Sequence, residues 1–90
     1  MQYRNEKTLQ LVNVLGKVIK RKRLGTKKSL NMFAYEYDLN PGNLCRIENG
    51  QIEAKFTMLW RIAEAFDIPL SKLIRELEDE FDEKFHIIDK

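Results

Sequence analysis

The sequence predicts an all-α chain, a five-helix bundle followed by an acidic and apolar C-terminal extension. Three observations lead there. Apolar residues return every three or four positions in successive stretches, which is helical spacing. Residues suited to helix ends stand at the borders of those stretches. No clear strand pattern occurs, and only Phe85–Ile88 could pair as a short strand. Ninety residues make one domain, and a helical bundle is an efficient way to bury the modest core such a chain affords.

Met1–Asn5 is polar and reads as a loose start. From about Glu6, the apolar residues Leu11, Val12, Leu15, Val18 and Ile19 define one buried face of a first helix. Gly16 sits in the middle of that helix at a cost of about 1 kcal/mol against Ala. The run Lys20-Arg21-Lys22-Arg23 ends it. Cations there complement the helix dipole and aid solubility, and they also suit contact with phosphate; both roles stay open.

A turn around Gly25 follows, over Leu24–Lys28. Ser29 is a suitable N-cap for a second helix reaching about Tyr37, with Leu30, Phe33, Ala34 and Tyr37 on its apolar face. The third helix has both ends marked. Asn40 caps it, Pro41 fits its first position, and Gly50 suits the left-handed residue just past its end. Within it only Leu44 and Ile47 are large and apolar, so a narrow stripe is buried. Gly42, Asn43, Cys45, Arg46 and Asn49 are left mostly at the surface, and a helix of this width enters the major groove of DNA.

Gln51–Lys55 reads as a loop. Phe56, Leu59, Trp60, Ile62, Ala63 and Phe66 define a fourth helix, with Trp60 and Phe66 expected in the core. Asp67-Ile68-Pro69 breaks it, because proline disfavours helical backbone at the residue before it. A fifth helix starts near Pro69 or Leu70 and keeps its period through Leu73, Ile74, Leu77 and Phe81. The acids of Glu76–Glu83 oppose the dipole of a helix ending there, so the helix either continues or frays.

Several of these stretches carry a resemblance. Phe33-Ala34, Asp38-Leu39-Asn40 and Leu44-Cys45-Arg46-Ile47-Glu48-Asn49-Gly50 resemble the phage-repressor-like (Cro and XRE-type) helix-turn-helix family. That family reads roughly Leu-Ala, three residues, Gly-Val-Ser, three residues, Ile-Ser-Arg-Ile-Glu-Arg-Gly. The likeness takes in Leu15-Gly16, Arg23, Leu59 to Phe66 and Leu73-Ile74, about residues 11 to 75. It implies a lambda-repressor-like bundle and a sequence-specific DNA-binding transcriptional regulator, such as a repressor. The helix from Pro41 to Asn49 would lie in the major groove, while the helix from Ser29 to Tyr37 crosses the backbone of double-stranded DNA. In the family a Gly at position 16 accompanies close packing, and Asp38 stands where a turn Gly is usual.

The resemblance also implies a site. Arg46 is the best reader of bases, since a guanidinium can contact guanine through two hydrogen bonds. Asn43 could read adenine or touch phosphate, and Asn49 matches a phosphate-contacting position. Lys27, Lys28 and Ser29 could meet a phosphate at the positive end of helix two. With Asn40 and Gly42 at the front of helix three, these form the candidate DNA-binding set. Arg23 and Glu48 match a family pair and are expected to join helix one to helix three by a charge-assisted hydrogen bond. Some positions depart from the pattern. Pro41 and Gly42 offer no side-chain donor where the family often reads bases. Leu30 replaces a backbone-gripping Gln, and Lys22 and Lys28 stand where apolar residues are usual. Direct readout is therefore expected to be sparse and shared with DNA shape.

Charge agrees with a polyanion partner. The formal net charge is only +2, yet residues 1–28 hold nine Lys and Arg against one Glu, and residues 64–90 hold nine Asp and Glu against four Lys and Arg. Two solvated helix faces of opposite sign are the plainer reading of that split. The apolar tail residues Leu77, Phe81, Phe85 and Ile88 suggest residues 76–90 as a dimerisation segment beyond a DNA-binding domain over 1–75. Packing within the chain is the alternative. A protein-interaction module of the same fold, such as an antitoxin, is the second functional reading.

Other chemistry is not indicated. His86 is the sole histidine, and no spacing of Cys, His, Asp and Glu suggests a metal. No glycine-rich loop could cradle a nucleotide cofactor, and no nucleophile–base pattern suggests an enzyme. One cysteine cannot form an internal disulfide, and no apolar run approaches a membrane span or signal peptide, so a cytoplasmic protein is expected.

Overall fold

The computed structural model describes residues 5–88, which form five α-helices and no strand among those residues. Of the expected loose start at Met1–Asn5, residues 1–4 fall outside them, while Asn5 is held in place. Helix α1 spans Glu6–Gly25, α2 Leu30–Glu36, α3 Pro41–Glu48, α4 Phe56–Ala65 and α5 Leu70–Glu78. Asn5 starts α1: its Oδ1 accepts from the backbone N–H groups of Lys7 and Thr8, at 2.7 and 3.3 Å.

The centre of the core takes a large side chain from every helix. Val18 and Ile19 of α1, Phe33 of α2, Leu44 of α3, Ile62 of α4 and Leu73 of α5 are all fully buried. Phe66, just past α4, packs its ring 5.0 Å from that of Phe33. No helix here is long enough to be stable alone except α1, so this shared burial holds the short ones.

Helices α2, α3 and α4 end alike. Each is followed by a left-handed residue: Asp38 (φ 56°), Gly50 (φ 71°) and Asp67 (φ 58°). The next residue's N–H then reaches back to a carbonyl near the helix end, Leu39 to Ala34, Gln51 to Arg46 and Ile68 to Ala63, at 2.8, 2.8 and 3.1 Å. Leu39 is buried in the core and Ile68 packs against it, so two of these turns are also pinned from below.

Two expectations need correction. Helix α1 runs through Gly25, and the left-handed residue of the turn is Lys27 (φ 62°). Trp60 is 51% exposed and outside the core. The stripe of α4 that meets the bundle is Leu59, Ile62, Ala63 and Phe66. Trp60 lies about 100° round from it, so apolar periodicity placed it on a face that tertiary contacts do not cover. The expected boundary at residue 76 lies within α5 (Leu70–Glu78), whose Leu77 is buried in the same core.

The tail then folds back. Phe81 packs on the core, and its ring stacks 4.2 Å from that of Phe85. Leu11 of α1 lines one cleft with Phe81 and Phe85, and another with Phe85, Ile87 and Ile88. Asn5 Nδ2 donates to the Ile87 carbonyl at 3.1 Å. Of the four residues expected to join two copies, Leu77, Phe81 and Phe85 thus have partners in their own chain, and Ile88 is exposed.

Candidate nucleic-acid interface

Helix α3 shows how eight residues can be both anchored and presented. Leu44, Ile47 and Glu48 face inward and are buried. Asn43, Cys45, Arg46 and Asn49 are exposed, and Gly42 is half-buried. The Asn40 Oδ1 accepts from the Asn43 N–H at 2.9 Å and so caps the helix. Arg46 Nη1 donates to the Asn43 side-chain oxygen at 3.3 Å. An added Cβ at Gly42 would stand 3.2 Å from the capping Asn40 Oδ1 and at ordinary contact distance, 3.4 Å, from Arg46 Nη1. Asn49 Nδ2 donates to Cys45 Sγ at 3.5 Å along the same exposed face.

Glu48 fixes the far end of α3. Arg23 Nε and Nη2 donate to its two carboxylate oxygens at 2.7 and 2.9 Å, and both residues are 6% exposed. The third limb of the fork, Nη1, donates to the Lys28 carbonyl at 3.0 Å. One side chain thereby links the end of α1, the chain entering α2 and the last turn of α3. Donation to the Glu48 carboxylate raises the Arg23 pKa further, against the opposing effect of burial, so its charge is permanent.

Close backbone approach completes the joint. A Cβ on Gly16 would run into the Ile47 carbonyl oxygen and lie 2.7 Å from that of Glu48. Gly16 thus lets α1 touch the C-terminal turn of α3 directly.

At the start of α2 the candidate residues stand in different surroundings. Ser29 caps the helix, its Oγ accepting from the Met32 N–H at 3.2 Å, and Lys27 is exposed. Lys28 instead turns toward α2. Its ammonium is 2.6 Å from Glu36 and 3.2 Å from the Tyr37 hydroxyl, and it lies over the Tyr37 ring. The hydrogen bond to Glu36, then that to Tyr37, raises its pKa. A lysine at this normally apolar position is accommodated by its stem on the aromatic ring and its charge on Glu36.

Lys55 and Arg61 went unnoticed in the sequence. Both line a cleft with Asn43 beside α3. Lys55 is exposed at the start of α4, whose first N–H groups have no side-chain cap. The signal available was the loop ending in a lone lysine before an apolar run. Among the described helices none is long and apolar enough to cross a membrane.

Comparisons with known proteins agree with this architecture. No curated protein matches the sequence. Among solved structures, that of the clp gene regulator ClgR from Corynebacterium glutamicum is similar with a TM-score of 0.70 at 20% identity, over 82% of this chain and 96% of that one. A second ClgR structure has a TM-score of 0.69 at 21% identity, over 78% and 74% of the two chains. A mutant of the restriction-modification controller protein C.Esp1396I has a TM-score of 0.70 at 21% identity, over 78% of this chain and 89% of that one. At such identities the likeness is one of fold. A helix-turn-helix family model matches residues 19–73, from the second half of α1 into α5. That is more than half of the chain, and it belongs to the Cro/C1-type helix-turn-helix family of DNA-binding transcription regulators.

Proposed function

We propose that the protein regulates transcription by binding specific DNA sites with α3 in the major groove. The observation that carries this is the exposed polar strip of α3, Asn43, Arg46 and Asn49, on a helix whose opposite side is locked to α1 by Arg23, Glu48 and Gly16. A rigid helix with an uncommitted polar face suits base readout. Arg46 is the base reader, and Asn43 supports it or turns to adenine. Lys27, Ser29, Asn40 and Asn49 meet phosphates, and Lys55 extends that border on the other side of α3. Lys28 stands behind this line, since its charge is already held by Glu36. The regulators among the similar structures favour the same reading.

The test is binding of the full chain to DNA selected from a random pool, compared with scrambled DNA at several salt concentrations. Specific binding with a salt-dependent component is expected. The exposed Phe56 and Trp60 favour a second reading, a protein-interaction module of the same fold. Failure to bind any DNA at low salt would leave that reading in place of the first.

A further inference from the structure

The basic run at the end of α1 takes no part in the DNA contacts proposed above. Lys20, Arg21 and Lys22 stand on its last turns, a few residues before Lys27 and Ser29. The neighbouring Arg23 ties this end of α1 to the Lys28 carbonyl and to Glu48 of α3. The run therefore borders the surface proposed to meet phosphates, and its charge suits a polyanion.

Two of its cations are already held by acids. Arg21 Nη1 is 3.2 Å from Glu80 Oε1, and Lys22 Nζ is 3.0 Å from Glu76 Oε2. These acids lie 59 and 54 residues further along the chain. The pairs are partly open to water, with 63% of the Arg21 side chain and 37% of the Glu80 side chain exposed. Such pairs add little to stability and exchange readily. Other contacts keep the acids in place. Phe81, next to Glu80, packs on the core with its ring 4.2 Å from that of Phe85, and Leu11 of α1 lines a cleft with both. Asn5 Nδ2 ties the Ile87 carbonyl to the start of α1. The carboxylates are thus held beside the cations at a high effective concentration, an advantage no free anion has.

We propose that the acidic end of α5 and the segment after it are autoinhibitory: Glu76 and Glu80 occupy Lys22 and Arg21 in place of DNA phosphates. The inference rests on the DNA-binding reading and adds a regulation to it. A phosphate approaching the end of α1 must displace a carboxylate already seated there. Phosphate contacts carry no sequence information, so this brake acts alike on every DNA sequence. It lowers grip and leaves readout by α3 as it is.

The experiment measures binding of the full chain to the selected site and to scrambled DNA at several salt concentrations, with circular dichroism to confirm that each variant is folded. Glu76→Gln/Glu80→Gln keeps side-chain size and removes both pairs. It should bind both DNAs at least about 5-fold tighter at low salt and steepen the salt dependence by about one to two units, roughly one per phosphate gained. Glu78→Gln/Glu83→Gln makes the same change in net charge, at exposed acids with no ion pair among the described residues. It should tighten binding by less than about 2-fold. Adding Arg21→Ala to the first variant should remove most of its gain. Equal tightening by the two double variants would reduce the effect to net charge and overturn the proposal. So would a Glu76→Gln/Glu80→Gln chain that binds no tighter than wild type, an outcome that leaves the DNA-binding reading standing. If neither wild type nor variant bound any DNA at low salt, that reading would fail and the brake with it.

Discussion

Arg23 concentrates more structure than any other side chain here. Its charge is buried against Glu48 and its third limb holds the Lys28 carbonyl. Removing it leaves a buried carboxylate without a partner, which is worse than the pair is good. Arg23→Ala should therefore lower stability by about 3–5 kcal/mol, measured by urea denaturation. A loss under about 1 kcal/mol would mean that water reaches Glu48 and the pair acts as a surface one. Arg46 is the opposite case, an exposed cation whose hydrogen-bond partner among the described residues is Asn43. Arg46→Ala should leave stability unchanged and weaken binding to the selected site by about 1–3 kcal/mol, while sparing scrambled DNA more. Equal loss on both DNAs would make Arg46 a phosphate contact.

At the scale of elements, the short helices depend on how they end. Asp38 adopts a left-handed backbone that costs an ordinary residue about 1–2 kcal/mol. Its carboxylate is almost fully exposed and only 3.6 Å from an exposed Arg61, so its charge contributes little. Asp38→Gly should raise the melting temperature, by up to about 1 kcal/mol of stability once the added freedom of the unfolded chain is counted. A lower melting temperature would show that the Asp38 side chain holds the turn. Gly16→Ala tests the contact between α1 and α3. An Ala in mid-helix normally gains about 1 kcal/mol. Here its methyl meets backbone oxygens of Ile47 and Glu48, which cannot swing aside as a side chain can. The net result expected in thermal melts is a loss of about 1–3 kcal/mol, and a gain would mean that α3 shifts away at little cost.

For the whole molecule, the uneven charge of the sequence is partly settled inside the fold. Arg21 pairs with Glu80 and Lys22 with Glu76, so the basic end of α1 meets the acids at and after the end of α5. Lys22 also lies over the Phe66 ring, which explains a lysine at an apolar position. These pairs give the dipole-and-solvation reading of the cluster a structural basis, and they leave Lys27 and Arg46 as cations free of ion pairs among the described residues. The tail behaves as a strap over α1. Phe81→Ala should cost about 1–3 kcal/mol in urea denaturation, less than a fully buried Phe. A Phe81→Ala chain of unchanged stability would mean that the tail contributes nothing to the core it packs on.

Much of this was legible in the sequence because it is local. Caps at Asn40 and Ser29, Pro41 at a first helical turn, Gly50 beyond a last one, and a 3.6-residue apolar period are decided by a few neighbouring residues. They fixed five helices and the inward stripe of α3 at Leu44 and Ile47. Periodicity cannot say which part of a wide apolar arc another helix will cover, so Trp60 was placed inside and stands outside. Nor can composition say which charges meet. Lys28 with Glu36, Lys22 with Glu76 and Arg21 with Glu80 are set by where folding brings distant turns, and the last two partners lie more than fifty residues apart. The helices belong to the sequence; the faces left free were decided by tertiary packing, because only packing consumes the others.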